Sequence, residues 1–442
     1  MKSMKSVALI TFGCAKNLVD SEVMAGHLEN AGYVSEADLS RAGTIILNTC
    51  GFISPARAEA EAAIRDSVRL KKKDPSKKII VTGCYPERSL DELRRRFPAV
   101  DGWLGVKDFD RIVDVIEGRS FAPSEKTFLY DHRTPRLLST PPSWAYVKIS
   151  EGCSHECAFC SIPLIKGPFR SRHPSSIVKE VEHLAALGVK EINLVSQDTT
   201  FYGKDLGQGT GLSSLLKKLV KINGVAWVRV LYGYPEEITE ELLETMCEPK
   251  ICAYLDIPFQ HSDLKMTRRM KRGMDGRRAL KLLAEIRRKL PEVSVRTSLM
   301  VGFPGESREE FENLKTFVRE ARFDHLGVFT YSRESGTAAH GLGDPIGEKI
   351  KLRRKDKILE IQAEISSAKL RARVGQTLEV LVEGRWIEDT CLLIGRGRFQ
   401  APEVDGVIFI PSARDETASP GPLRAVEITG SEVYDLRGKF AG

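Results

Sequence analysis

Short apolar runs alternate with amphipathic stretches along the first quarter of the chain. Residues 7–11, 44–47 and 78–81 are short runs dominated by Val, Ile, Leu and Ala, the length and character of strands buried in a parallel sheet. Between them lie helical patterns with recognisable ends. Asp20 or Ser21 is expected to cap a helix that carries Val23, Met24, Leu28 and Ala31 on one face and stops at Gly32. Ser54-Pro55 places a cap and a first-turn proline ahead of a long helix, and its basic end at residues 69–73 suits the helix dipole. Ser89 and Glu92 have the spacing of a capping box. This strand–helix order predicts an α/β domain with a Rossmann-like parallel sheet over residues 1–118.

Residues 119–143 are rich in Pro, Ser and Thr and end in Pro141-Pro142, the composition of a linker. A second alternating series follows, with strands expected at 146–150, 191–196, 227–232, 253–259, 294–301 and 326–331. Helices intervene, among them 176–187, with Ile177, Val181, Leu184 and Leu187 on one face, and 310–321. Six strand–helix units are fewer than the eight of a closed barrel, so residues 144–373 are expected to form an open (βα)6 partial barrel that ends in a charged helix. Beyond Gly375 the pattern changes to short strands at 377–382, 390–394, 407–410 and 425–429, which predicts a small all-β domain over 374–442.

No apolar run reaches the roughly 18–20 residues that cross a membrane. The basic start, Met1 to Lys5, precedes an apolar stretch of only six residues, Val7 to Phe12, short for the roughly 7–15 of a secretory signal, and reads as the lead into a first strand. A cytoplasmic protein without membrane association is expected. The formal net charge is +7, with basic clusters at 69–73, 94–96 and 268–272. These suit either a nucleic-acid or ribosomal surface or simply solvated helix faces.

Nine cysteines in a chain expected in a reducing compartment point to metal binding or catalysis rather than disulfides. Cys153, Cys157 and Cys160 form a CxxxCxxC run directly after the first barrel strand, at the strand end where barrel enzymes keep their active sites. Three thiolates so placed can hold three irons of a cubane 4Fe–4S cluster and leave the fourth iron open. A zinc site is the alternative and needs a fourth ligand, for which His155 or His173 is available. The spacing, Phe159 before the last cysteine and the barrel context favour the cluster. Cys14, Cys50 and Cys84 each follow one of the three N-terminal strands, and parallel strands bring such ends to one edge of the sheet. Gly13 and Gly83 precede two of them and Gly51 follows the third. One such cysteine reads as a small buried hydrophobe; three in equivalent positions predict a second cluster. Cys247 and Cys391 are expected to be packing residues, and Cys252 is given no role.

On these residues the chain resembles the radical S-adenosylmethionine superfamily and, over nearly its full length, the methylthiotransferases, whose terminal TRAM domain the last segment resembles. Thr11-Phe12-Gly13-Cys14-Ala15-Lys16-Asn17-Leu18-Val19-Asp20-Ser21 is similar to the RimO-type branch, where Lys-Asn follows the first cysteine; the tRNA-modifying MiaB type has Gln-Met-Asn there. Residues 254–261 (YLDIPFQH), 197–203 (QDTTFYG) and 401–406 (APEVDG) resemble the same branch, and Ala15 stands where proline is common. The resemblance implies two 4Fe–4S clusters and S-adenosylmethionine. The Cys153/Cys157/Cys160 cluster would bind the amino and carboxylate groups of S-adenosylmethionine and cleave it to a 5′-deoxyadenosyl radical. That radical takes a β-carbon hydrogen from an aspartate of the twelfth small-subunit ribosomal protein. The Cys14/Cys50/Cys84 cluster would hold the sulfur, with a second S-adenosylmethionine giving the methyl group, so the two clusters should face one cavity. No side chain is expected to act as acid or base, because the clusters carry the chemistry.

Phe159, Gln197, Arg296 and Glu306 are the implied cofactor contacts, with the 302–306 turn either touching cofactor or only shaping the strand-to-helix connection. Arg170 and Arg172 suit cofactor, substrate or surface ion pairs. The terminal domain would dock the ribosomal protein, with Arg396 and Arg398 available to phosphate or carboxylate partners. An electron donor such as flavodoxin or ferredoxin and a monomeric state complete the expectation. A tRNA adenosine methylthiotransferase of the MiaB type is the alternative.

Overall fold

The computed structural model describes residues 5–412, 421 and 423–441; the basic start at residues 1–4 and part of the terminal domain lie outside the described residues. The chain divides into two compact units. The first comprises Met1–Ser139, Ser150–Arg172 and Ser332–His340, and the second Thr140–Ile149, His173–Tyr331 and Gly341–Gly442.

The first unit is built on β1 (Lys5–Thr11), α1 (Ala15–Asn30), β2 (Tyr33–Ser35), β3 (Thr44–Thr49), α2 (Ser54–Lys73), β4 (Lys78–Gly83), α3 (Cys84–Arg96), β5 (Gly102–Leu104) and α4 (Ile112–Glu117). Its five strands are parallel in the order β2-β1-β3-β4-β5. Ile45, Leu47, Ile79 and Val81 pack with Ala60, Ile64 and Leu93 in one core, so the continuous apolar runs mark the three long central strands. The edge strands β2 and β5, three residues each, are additions to the expected pattern.

Three helix starts differ from expectation. The first helix begins at Ala15, directly after Cys14, which leaves Asp20 and Ser21 buried inside it. There Ser21 accepts hydrogen bonds from Thr11 (2.6 Å) and from the Asn48 amide (2.8 Å), tertiary partners that replace the local capping role. The third begins at Cys84, and Ser89 sits at a kink with φ −141° and ψ 35° rather than at a helix start. Ile53, not Ser54, is the N-cap of α2.

Residues 119–139 contain no helix or strand, as a linker would, yet they are packed against the first unit. Glu22 of α1 pairs with Arg136 at 2.6 Å and accepts from the Ser139 backbone N–H at 2.8 Å, while Tyr130 lies buried under Arg172. Pro-rich composition signals missing regular structure, not missing contacts. After β6 (Trp144–Lys148), a strand of the second unit, the chain returns to the first unit. There it forms a two-residue antiparallel pair, β7 (Ser150–Glu151) with β8 (Arg170–Ser171), with the short helix α5 (Ile162–Lys166) between them.

In the second unit β6 joins β9 (Glu191–Val195), β10 (Trp227–Val230), β11 (Ile251–Asp256), β12 (Ser294–Val301) and β13 (His325–Thr330) in one parallel sheet of unbroken sequential order. It is the expected open six-stranded partial barrel. Its helices are α6 (Pro174–Ala186), α7 (Leu212–Leu219), α8 (Glu240–Thr245), α9 (Leu264–Arg269), α10 (Gly276–Lys289) and α11 (Arg308–Ala321). The helix α12 (Glu348–Arg371) leads into a closed five-stranded barrel: β14 (Thr377–Arg385), β15 (Leu392–Gly397), β16 (Ile408–Pro411), β17 (Leu423–Ser431) and β18 (Leu436–Phe440). The last strand, absent from the expected pattern, closes the barrel by pairing with both β16 and β17.

This small barrel packs against the partial-barrel strands through residues near their N-terminal ends. Glu191, the first residue of β9, binds Arg229 (2.8 Å) and Arg396 (2.5 Å), all three buried, and Arg396 also pairs with Glu383. Asp405 accepts from Tyr254 (2.7 Å), Arg296 (2.6 Å) and the Ala401 backbone N–H (2.8 Å), with His325 at 3.3 Å. Burial opposes charge on Asp405, but His325 and Arg296 outweigh it and hold its carboxyl below the ordinary carboxylate range. A group with a depressed pKa stabilises the fold above its unfolded value, about 4 for Asp, and that contribution is lost as pH falls through the folded value. Asp405→Asn is therefore expected to weaken the second unit at neutral pH and to flatten the fall of stability below about pH 4. Urea titrations at several pH values check this, and an unchanged acid limb contradicts it.

Candidate metal centres

Sheet register places the first three cysteines. Thr11, Asn48 and Thr82 lie in one row across β1, β3 and β4, and Cys14, Cys50 and Cys84 follow that row within three residues on each strand. Cys14 is the N-cap of α1 and Cys84 the first residue of α3. Asn17 ties the strand ends together. Its buried amide donates to the carbonyls of Phe12 (3.0 Å) and Thr49 (3.3 Å), and its Oδ1 lies 3.6 Å from the Cys84 sulfur. Gly13 is required between β1 and Cys14: its φ is +98°, and a Cβ there would stand 2.8 Å from the Cys50 Cβ.

The three thiols grade from exposed Cys14 through half-buried Cys50 to buried Cys84. Burial pushes the Cys84 thiol up to about 12 and raises Cys50 as well. Both are therefore protonated at neutral pH in the metal-free chain, and metal binding must release those protons. A soft donor set of three thiols suits iron–sulfur ligation. Among the described residues, no three His, Cys, Asp or Glu side chains stand close enough to hold a single ion; a cluster spreads its ligands over several irons. Gly13→Ala is expected to lower the iron and sulfide content to that of Cys50→Ala, as measured by metal analysis. Full iron content would show that the edge tolerates the methyl group.

The CxxxCxxC run lies in a loop closed at its base. The β7–β8 pair joins Ser150 to Ser171 and Glu151 to Arg170, and the Cys153 backbone N–H donates to the Gly167 carbonyl at 3.1 Å. Gly152, at φ +82°, passes so close that a Cβ would stand 2.2 Å from the Pro168 carbonyl oxygen. Cys153, Cys157 and Cys160 are all half-buried. Ala158 and Phe159 between them are buried, the Ala158 carbonyl accepting from Ala339 at 2.7 Å. Of the two histidines considered for zinc, His173 caps α6 through the Ser175 backbone N–H. Both cysteine triplets belong to the first compact unit.

The remaining expected contacts divide. Gln197 lies just past the C-terminal end of β9. Glu306 is buried in the turn after β12, where Arg354 pairs with it at 2.9 Å and the Gly302 backbone N–H donates to it, so its carboxylate shapes the turn. Arg296 has an internal partner. It is the third residue of β12, and its guanidinium donates to Asp405 and to the Val404 carbonyl. Arg396 and Arg398, read as available to outside partners, are turned inward, Arg396 on Glu191 and Arg398 on the carbonyls of Pro249 and Ile251. Arg172 stacks on Tyr130, and Arg170 donates to the Thr127 carbonyl. Cys252 is buried, whereas Cys247, expected in packing, is exposed, and Cys391 is half-buried.

Two groups near the thiols escaped the sequence reading. Glu334 accepts from Arg57 (2.5 Å), Arg88 (2.8 Å) and the Ser54 backbone N–H (2.9 Å), and Arg88 also donates to the carbonyl of Gly51, beside Cys50. Lys166 lies buried with Asp20 and Glu151. Their partners stand far off in the sequence, so no local pattern announces them.

Residues 6–105 match the uncharacterized protein family UPF0004, residues 147–318 the radical SAM superfamily and residues 374–440 the TRAM domain. The ribosomal protein uS12 methylthiotransferase RimO of Pelobacter propionicus (strain DSM 2379 / NBRC 103807 / OttBd1) is 43% identical over 443 residues, 99% of this chain and 98% of that protein. This chain belongs to the RimO family. The RimO of Anaeromyxobacter sp. (strain Fw109-5) is 45% identical over 98% of this chain and 92% of its own length. The family resemblance carried by residues 11–21, 197–203, 254–261 and 401–406 is thus borne out. Two solved radical enzymes share the fold of the RimO-family chain at low identity. The methyltransferase TsrM from Kitasatospora setae has a TM-score of 0.54 at 14% identity, covering 76% of this chain and 77% of that one. OxsB has a TM-score of 0.51 at 12% identity, covering 81% and 56%.

Proposed function

We propose that this chain is an aspartate methylthiotransferase acting on ribosomal protein uS12, replacing one hydrogen of an aspartate β-carbon by a methylthio group. The observation that carries this reading is the presence of two thiol triplets in one compact unit, in a chain whose near-full-length relatives are uS12 methylthiotransferases. Cys153, Cys157 and Cys160 would hold one 4Fe–4S cluster, and Cys14, Cys50 and Cys84 the other. When bound, these clusters supply reductive cleavage of S-adenosylmethionine and the sulfur for transfer.

The chain's own residues position and shield. The β7–β8 pair and the Cys153–Gly167 hydrogen bond hold the first triplet in a narrow loop. Asn17 locks the strand ends that carry the second, and the exposed Cys14 leaves that triplet open on one side. Phe159, Gln197 and Glu306 are the proposed S-adenosylmethionine contacts; Arg296, the fourth, is engaged by Asp405. Domain limits at 1–118, 144–373 and 374–442 fit this division of labour. A flavodoxin- or ferredoxin-like donor, a cytoplasmic location and a monomeric state belong to the same proposal. Among the described residues no helix is long and apolar enough to cross a membrane.

Mass comparison of ribosomal proteins and tRNA nucleosides from cells with and without the gene tests the reading. Loss of the methylthio group from uS12 alone supports it; loss from tRNA adenosine replaces it with the MiaB-type activity. Anaerobically prepared protein is expected to contain iron and sulfide, and zinc without either would exclude the radical mechanism.

A further inference from the structure

Lys166, the last residue of α5, is buried with its side chain 3% exposed. Its ammonium stands 3.0 Å from Asp20 and 3.5 Å from Glu151, whose side chains are 4% and 0% exposed. Each partner is anchored to a different cysteine site. Asp20 lies on α1, the helix whose N-cap is Cys14. Glu151 lies in β7, two residues before Cys153, and Lys166 itself lies six residues after Cys160. Ile165 beside it packs on Cys84 and Val106. The Lys166 carbonyl accepts from the Thr127 hydroxyl at 2.8 Å. Burial disfavours the ammonium, but Asp20 and Glu151 outweigh it and keep Lys166 charged. One positive charge thus joins elements that carry thiols of both triplets.

Burying three charges is a poor way to gain stability, since well-packed apolar residues often do as well. Fixed placement is what such a cluster offers, and group transfer between two sites is sensitive to misplacement of about 1 Å. We propose that Lys166 is a positioning residue that holds the two cysteine sites in fixed mutual placement through Asp20 and Glu151. This rests on both triplets carrying clusters.

The test compares the native chain with Lys166→Met and with the triple variant Asp20→Asn, Glu151→Gln, Lys166→Met, which removes the charge of all three residues. Three quantities are read: the melting temperature of the metal-free chain, the magnetic coupling between the two reduced clusters by electron paramagnetic resonance, and the ratio of 5′-deoxyadenosine to methylthio product. Lys166→Met, which takes the ammonium away from two buried carboxylates, is expected to lower the melting temperature. The triple variant is expected to recover it, while its cluster coupling stays altered and its product ratio stays raised several-fold. Recovery of coupling and ratio along with stability would overturn the proposal and leave the triad a structural ion cluster. A native chain that holds no clusters, or makes no 5′-deoxyadenosine, would instead overturn the function on which the proposal rests.

Discussion

Cys157→Ala is expected to abolish 5′-deoxyadenosine formation, whereas Cys50→Ala is expected to retain S-adenosylmethionine cleavage and lose the methylthio product. The contrast follows from where the two residues lie. Cys157 sits at the centre of a loop whose ends are pinned by β7 and β8, with its three thiols within eight residues. Removing the middle thiol leaves two of the three thiolates that would anchor the cluster. Cys50 belongs to a separate triplet on the edge of the N-terminal sheet, held by Asn17 and Gly13. Its loss should spare the loop, because Asn17 and the strand register hold that edge together without it. Quantifying 5′-deoxyadenosine and modified substrate for each variant, with iron content and circular dichroism as controls, decides the matter. Equal loss of cleavage in two folded variants would refute the division of labour.

Glu191→Ala is expected to destabilise the second unit by about 3–5 kcal/mol, the range for breaking a buried ion pair by removing one partner. Glu191 is the shared anion of two buried arginines, Arg229 from β10 and Arg396 from β15. Without it Arg396 keeps Glu383, and among the described residues Arg229 keeps the Arg398 carbonyl and the face of Tyr254. A guanidinium cannot shed its proton to escape burial, so the charge stays and its desolvation is uncompensated. The urea-unfolding midpoint measures the loss. A change below about 1 kcal/mol, typical of a solvated surface pair, would mean that water screens the network.

That network also explains why two sequence expectations changed. Arginine in a glycine-rich segment near the C-terminus is equally suited to a partner's phosphate or to an internal carboxylate. Only the packing of the small barrel against the partial-barrel strands decides for Glu191 and Asp405. Arg296 likewise occupies a strand next to a plausible cofactor turn, yet it stands early in that strand, at the end bound by the small barrel.

The sequence by itself determined the chemistry and the architecture: two cysteine triplets, three long parallel strands ahead of six more, and a small β domain behind. These were legible because ligand type, ligand spacing and apolar periodicity are local properties. Strands of three residues, such as β2 and β5, are too short to show a period, and β18 is defined by its pairing with two neighbours. Tertiary structure alone decided that Asp20 is a buried partner of Lys166 rather than a helix cap, that Lys166 meets it from 146 residues away, and that residues 119–139 are a packed strap. The physical reason is the same in each case. The free energy of a buried charge depends on partners distant in sequence, whereas a strand or a metal motif is written in adjacent residues.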